Sequence, residues 1–338
     1  MILYIGNKLS KHGNTPTSVE TLGKKLNEFT PTVTVSDRRN KILRLFDMTS
    51  AVFRYRHKVR LILIDTYSTS NFYYAVICAW LARRLGIPYI PILHGGNLPH
   101  RLRKNPRLCK SLFAQAAVNV APSRYLYEVF KDAGFDVQLI PNFLDITQYP
   151  YKSRRNVRPR LLYVRALGRI YNPAMAIEVL HRLRRRYDDA QLCMVGPDRD
   201  GIRDEFEALS RKLGVADRVE FRGKMEKKQW HELSKEYDIF INTTTADNTP
   251  VSLIEAMALG MPVVTTDVGG ISYLVKDGED ALCVPSRDAE AMADRIISLI
   301  EDPALVQRIT HAARKKAVSF DWETSVKKQW IKLLEGAR

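Results

Sequence analysis

Short runs of apolar, β-branched residues alternate along the whole chain with longer stretches in which apolar positions recur at helical spacing. In the first half the runs predict strands at about 1–6, 60–65, 88–93, 117–121 and 137–140. The periodic stretches between them predict helices at about 17–28, 41–58, 71–85, 106–115 and 123–133. The second half repeats the rhythm, with strands at about 160–165, 190–196, 218–221, 238–242, 262–266 and 281–284. Its helices fall at about 173–187, 201–213, 227–236, 250–259, 288–301 and 303–318. Alternation of this kind implies an α/β fold with parallel sheets covered on both faces. Two such series in tandem imply two Rossmann-like, doubly wound domains facing across a cleft. Residues 146–159, rich in Tyr, Arg, Lys and Pro with little periodicity, read as the linker. The first domain is then 1–150 and the second 158–320, and a last helix at about 321–338, carrying Trp322 and Trp330, is expected to pack back on the first.

Composition narrows the class. Hydrophobic residues are 45% and charged residues 27% of 338, which excludes disorder as the main state. No apolar run reaches the roughly 18 residues of a spanning helix. The opening Met1-Ile-Leu-Tyr-Ile-Gly6 has no basic region or cleavage site and reads as a first strand, not a signal peptide. Cys78, Cys109, Cys193 and Cys283 lie far apart with no CxxC, which argues against a disulfide framework or zinc site and fits a reducing cytoplasm. The net charge of +16 is one-sided: residues 1–155 hold 24 Lys/Arg and 9 Asp/Glu, residues 156–338 hold 29 and 28. The basic first half is expected to meet a negative partner.

In open α/β sheets ligands bind beyond the carboxyl ends of the strands. The most informative segment there is Asn242-Thr-Thr-Thr-Ala-Asp247-Asn-Thr-Pro-Val-Ser-Leu-Ile-Glu255-Ala-Met-Ala-Leu-Gly260-Met-Pro-Val-Val, which reads strand, loop, helix, turn, strand. Thr249 suits the N-cap, Pro250 the first helical position and Gly260 the helix end. The free N–H groups of Val251 and Ser252 then make an anion site suited to a diphosphate. Glu255 is placed for its two oxygens to accept both hydroxyls of a ribose. Asp247 and Asn248 precede the helix, where Asp247 can accept from a sugar.

Asp247-x7-Glu255, with Ala-Met-Ala-Leu-Gly-Met-Pro-Val-Val and Asp267-Val-Gly-Gly270, resembles the nucleotide-sugar site of the retaining glycosyltransferases of family 4, which have the GT-B fold. The resemblance covers most of the chain; it is strong over 190–285 and weak before residue 60. It implies that the first acid contacts the donor sugar and the second the ribose, although the family's first acid is usually Glu and here is Asp247. The family's phosphate-clamping Gly-Arg and Lys-Gly are replaced by Tyr163-Val-Arg165-Ala-Leu-Gly-Arg169-Ile-Tyr-Asn-Pro173. One register puts Arg165 on the family Gly and Tyr171 on its Lys; a one-residue shift puts Arg165 on the Arg. Arg165 closes a buried strand, where a charge needs a partner, and is expected to neutralise phosphate, with Arg169 as second candidate. Gly196 and Gly223-Lys224 correspond to backbone that approaches the nucleotide and base. His94, in Ile92-Leu-His94-Gly95-Gly96, corresponds to a histidine that contacts the donor sugar near the reacting carbon. Gly13-Asn14 corresponds to a loop beside phosphate and acceptor, and Thr17 to Glu20 reads as a capping box.

The resemblance therefore implies a UDP- or GDP-sugar donor and a lipid-linked or envelope-glycan acceptor. With no Asp-x-Asp in a suitable loop, no metal or other cofactor is expected; His94, Arg165 and Asp247 would carry the catalysis. The basic stretches Arg54-x-Arg56-His57-Lys58-x-Arg60 and His100-Arg-x-Arg103-Lys104-x-x-Arg107-x-x-Lys110, the second flanked by Leu98, Leu102, Leu108, Leu112 and Phe113, suit an anionic membrane surface. The expected location is the cytoplasmic side, peripheral at the inner face. Two other readings stand beside this one. A nucleic-acid-binding protein would explain the charge but lacks interleaved stacking aromatics. A nucleotide-sugar epimerase of the same fold would need no basic acceptor domain.

Overall fold

Twelve strands, nearly all of short β-branched or aromatic runs, build two six-stranded sheets in the computed structural model, which describes residues 1–13 and 16–336. The first sheet holds β1 (Ile2–Ile5), β2 (Thr32–Val35), β3 (Leu61–Thr66), β4 (Tyr89–Leu93), β5 (Asn119–Ala121) and β6 (Val137–Leu139), in the order β2-β1-β3-β4-β5-β6. The second holds β7 (Arg160–Val164), β8 (Gln191–Val195), β9 (Val219–Gly223), β10 (Ile239–Asn242), β11 (Val263–Thr266) and β12 (Leu282–Val284), in the order β12-β11-β10-β7-β8-β9. Every pairing is parallel. Helices cover both faces, so the central strands, such as β1 and β3, are buried along their whole length. The α/β, two-domain, doubly wound architecture read from the sequence is the one found.

The chain divides into a first unit, Met1–Asn142 with the segment from Lys327 onward, and a second, Phe143–Val326. This boundary lies upstream of the predicted linker. Residues 146–159 are not a free connector: Leu144, Tyr149 and Val157 are buried in cores of the second unit. Buried Arg154 donates to the carbonyls of Leu259 (3.0 Å) and Ser234 (2.8 Å). The segment lacks periodicity because it is irregular chain tied down residue by residue. Trp322–Val326, a π-helical turn, stays with the second unit, where Trp322 packs on Phe143 at 4.9 Å.

Strand β2 is missing from the expectations, as are the helices Leu98–Lys104 and Ile271–Leu274. An edge strand is only half-buried on every residue, so Thr-Val-Thr-Val gives no apolar run.

In the second sheet the order reverses between β7 and β10, which pair directly. The first sheet has the corresponding reversal between β1 and β3. Ligand sites of doubly wound folds open at such switch points.

Candidate functional site

The loops that leave β7 and β10 flank the switch point, and a run of threonines fastens them together. Thr243 donates its hydroxyl to the carbonyls of Tyr171 (2.9 Å) and Asn172 (2.8 Å), and Thr244 and Thr245 both donate to that of Ile170 (3.1 and 2.9 Å). This lays residues 165–172 along 243–247, so that the Arg165 guanidinium forms an ion pair with Asp247 and lies over the Tyr171 ring, 4.6 Å from its centroid. Among the described residues Arg165 Nε is buried with no acceptor, while the far end of the guanidinium is the part that reaches Asp247.

Asp247 organises the start of the next helix. Its Oδ1 accepts the Asn248 N–H at 2.7 Å, and its carboxylate also takes the N–H of Thr249. Burial pushes the carboxyl above its ordinary 3.8, against the pull of Arg165 and these N–H groups. The helix then runs Val251–Ala258, with Pro250 as the capping residue and no side-chain cap. Thr249 is therefore not the cap. Among the described residues the N–H groups of Val251 and Ser252 have no partner. Gly270 closes the loop from behind: a Cβ there would stand 1.7 Å from the Asn248 carbonyl.

Glu255, on the same helix, is buried. Its Oε1 accepts from the Tyr149 hydroxyl (2.8 Å) and from Lys227 Nζ (2.6 Å). No described residue bonds to Oε2. Burial, reinforced by Glu255, pushes the Tyr149 hydroxyl well above its ordinary range. The His231 ring packs at a tilt against Tyr149, centroids 4.6 Å apart, and burial holds its imidazole below the usual 6.5. Neither Tyr149 nor Lys227 was among the predicted residues. One sits in the presumed linker and the other on a helix 28 positions before Glu255; no spacing rule links them.

Gly196 and Gly223 meet at the ends of β8 and β9, where the Gly196 N–H donates to the Gly223 carbonyl at 2.8 Å. A Cβ on Gly196 would fall 1.9 Å from the Arg165 carbonyl, so this glycine is required by the β7 loop beside it. Arg169 does not join the group. It pairs with Glu205 at 2.9 Å on the exposed surface, and its N–H donates to Asp200 at 3.2 Å. Asp198 and Asp200 form the chain's Asp-x-Asp; Asp198 caps the turn that follows, accepting from Ile202 (3.0 Å) and Arg203 (3.2 Å).

In the first unit His94 leaves β4, and its Nε2 bonds to Oδ1 of Asp65 at 2.7 Å. Asp65 is fully buried and also accepts from the Tyr4 hydroxyl at 2.8 Å. Sequence reasoning passed over Asp65, whose signal was a carboxylate near the end of an apolar strand. Gly95 brings the His94 loop against Ser68, with a Cβ position 2.6 Å from the Ser68 nitrogen. Gly13 ends a short turn, Ser10–His12, in the left-handed conformation. Asn14 lies outside the described residues. The capping box is present: Glu20 Oε2 accepts the Thr17 N–H at 3.1 Å.

Residues 1–148 match the family model described as Glycosyltransferase Family 4, and residues 147–316 that described as Glycosyl transferases group 1. Glycogen synthase of Mycobacterium tuberculosis is 30% identical over 205 residues, 58% of this chain and 48% of that protein. Phosphatidyl-myo-inositol mannosyltransferase of Mycobacterium leprae is 26% identical over 219 residues, 63% of this chain and 56% of that one. The chain thus spans about half the length of the curated relatives it matches. Among solved structures, Anabaena HepE in complex with UDP superposes with a TM-score of 0.78 at 20% identity, covering 99% of both chains. Sucrose-phosphate synthase from Thermosynechococcus elongatus gives 0.78 at 18%, covering 100% of this chain and 99% of that one. The fold is thus that of GT-B glycosyltransferases, and with both halves matched by the family's models, the chain belongs to the group 1 glycosyl transferases.

Proposed function

We propose that the protein is a retaining glycosyltransferase that moves a sugar from a UDP- or GDP-sugar to a lipid-linked or envelope-glycan acceptor without a metal. The observation that carries this reading is the pairing of Arg165 with Asp247, at the β7–β10 switch point, just ahead of a helix whose first N–H groups, those of Val251 and Ser252, have no partner among the described residues. A fixed guanidinium and a helix N-terminus stabilise the charge that develops on a departing diphosphate. Glu255 Oε2 would accept from the ribose and Asp247 from the sugar. The acceptor hydroxyl attacks the anomeric carbon on the face from which the nucleotide departs. The carbon–oxygen bond to the diphosphate breaks, and the hydroxyl proton passes to the departing phosphate oxygen. His94, held by Asp65, is assigned the sugar contact through the family resemblance.

Support for a UDP donor comes from HepE, which was solved with UDP. Support for a lipid acceptor comes from the relative named for phosphatidyl-myo-inositol and from the excess of 24 Lys/Arg over 9 Asp/Glu in residues 1–155. That charge suits reversible attachment at the inner face of an anionic membrane. A thermal-shift screen of nucleotide sugars tests the donor half. The correct donor at a hundredfold its Kd should stabilise the protein by about 2.7 kcal/mol. No shift with any UDP- or GDP-sugar would remove the proposal.

A further inference from the structure

Two helices of the first unit turn apolar stripes outward. On Lys41–Tyr55 the positions Ile42, Phe46, Thr49 and Phe53 share one face, and Ile42 is 78%, Phe46 70% and Phe53 50% exposed. On Phe72–Arg84 the same spacing gives Tyr73, Ile77, Trp80 and Arg84, with Tyr73 53% and Trp80 50% exposed. The second helix is apolar on its buried and its outward face alike, a pattern that belongs to a helix covered on all sides. The two helices pack together and start side by side, Lys41 Nζ reaching Ser70 Oγ at 3.3 Å. Exposed apolar residues concentrated in this way mark an interaction surface.

The charge around these stripes is predominantly positive, Asp47 being the one acidic residue on the two helices. Arg56 lies 6.0 Å from the Phe53 ring centroid and Arg84 5.5 Å from that of Trp80. From Thr66 to Tyr127 the chain carries eight Lys/Arg and no Asp or Glu. The segment from Leu98 to Phe113 contributes charge but no apolar anchor. Its Leu98, Leu112 and Phe113 are buried, and Arg101 is held by the Ser68 carbonyl at 2.7 Å over the Phe72 ring.

We propose that the outward faces of helices 41–55 and 72–84 are the surface that docks on an anionic lipid bilayer, with Ile42, Phe46, Phe53, Tyr73 and Trp80 entering the interface. Tryptophan and tyrosine suit the headgroup level, and a basic rim around an apolar face suits anionic lipid. A second copy of the chain would set the same positive field against itself. This inference rests on the membrane reading above and specifies where it acts.

The molecule carries its own probe. Of four tryptophans, Trp230, Trp322 and Trp330 are buried, so Trp80 alone reports on this face. The full chain is titrated with phosphatidylglycerol-containing and with pure phosphatidylcholine vesicles, some bearing brominated acyl chains. The expected result is a blue shift of Trp80 emission and bromine quenching with the anionic vesicles, reduced by salt and absent in Trp80→Phe. Ile42→Ser with Phe46→Ser should weaken partition by about tenfold or more at an unchanged melting temperature. Vesicle binding with unaltered Trp80 emission, or with full affinity in the double variant, would overturn this docking face and leave the membrane reading standing. No binding to anionic vesicles would overturn both. A concentration-dependent blue shift without lipid, with dimer in sedimentation, would assign the face to self-association and overturn the inference.

Discussion

Replacing Glu255 separates a ribose-binding role from a purely structural one. The carboxylate is buried, and both of its donors, the Tyr149 hydroxyl and Lys227 Nζ, sit on Oε1. Glu255→Ala strands the Tyr149 hydroxyl without an acceptor, which costs about 1–3 kcal/mol of folding stability. The Lys227 pair adds little, since that side chain is 60% exposed. If the carboxylate also accepts the ribose hydroxyls, two charge-assisted bonds of at least about 1.5 kcal/mol each are lost, and nucleotide affinity falls roughly a hundredfold. Glu255→Gln distinguishes the oxygens. Its carbonyl stays with the two donors on the Oε1 side, so the amide nitrogen takes the place of Oε2 and offers a donor where an acceptor is needed. That variant should fold like the parent yet bind about tenfold more weakly. Calorimetric titration with UDP and GDP, paired with urea unfolding, provides both readouts. A well-folded Glu255→Ala protein with parental affinity for every nucleotide would refute the assignment.

Turnover should persist in EDTA, because Arg165 and the start of helix 251–258 supply the positive charge; loss on chelation and recovery with Mg²⁺ or Mn²⁺ would contradict this. Burial lowers the His231 pKa from 6.5 in the folded state, so the unfolded chain takes up the proton first and stability should fall as pH drops below 6.5. His231→Phe, which keeps a ring against Tyr149, should flatten that slope in thermal melts run across the range. Asp65→Asn should lower turnover by about a hundredfold while leaving nucleotide affinity unchanged, since it removes the carboxylate acceptor that holds the His94 ring in place. Equal activity in a folded Asp65→Asn protein would reduce Asp65 to packing.

The strands were legible because fully buried parallel strands must be apolar on every residue, as Leu61–Ile64 and Ile239–Ile241 are. Strand β2 was not, since an edge strand is free to carry threonine on its exposed side. The helix 251–258 was legible from Pro250 and Gly260, although its cap is Pro250, one residue after the Thr249 expected. Contacts between distant loops were out of reach: Arg165 and Asp247 are 82 residues apart, Tyr149 and Glu255 106. Nothing in the sequence ties the threonine run at 243–245 to the carbonyls of Ile170, Tyr171 and Asn172, on which its hydroxyls lie. Arg169 misled because a loop arginine can turn to either side, and Glu205 was nearer. The outward stripe of helix 72–84 was not legible, since periodicity reports that a face is apolar but not whether protein covers it.

On the proposed route a sugar leaves a nucleotide donor bound around Arg165, Asp247 and Glu255 and arrives on an acceptor with its anomeric configuration kept. Proton NMR of the reaction with the donor found by the thermal-shift screen, run with and without a lipid extract as acceptor, tests it most directly. The expected result is acceptor-dependent appearance of a glycoside with the same anomeric configuration as the donor, together with free nucleoside diphosphate, and neither product from Arg165→Gln. A product of inverted configuration would contradict the same-face route. Conversion of the nucleotide sugar to an isomer without any acceptor would contradict the transferase assignment itself.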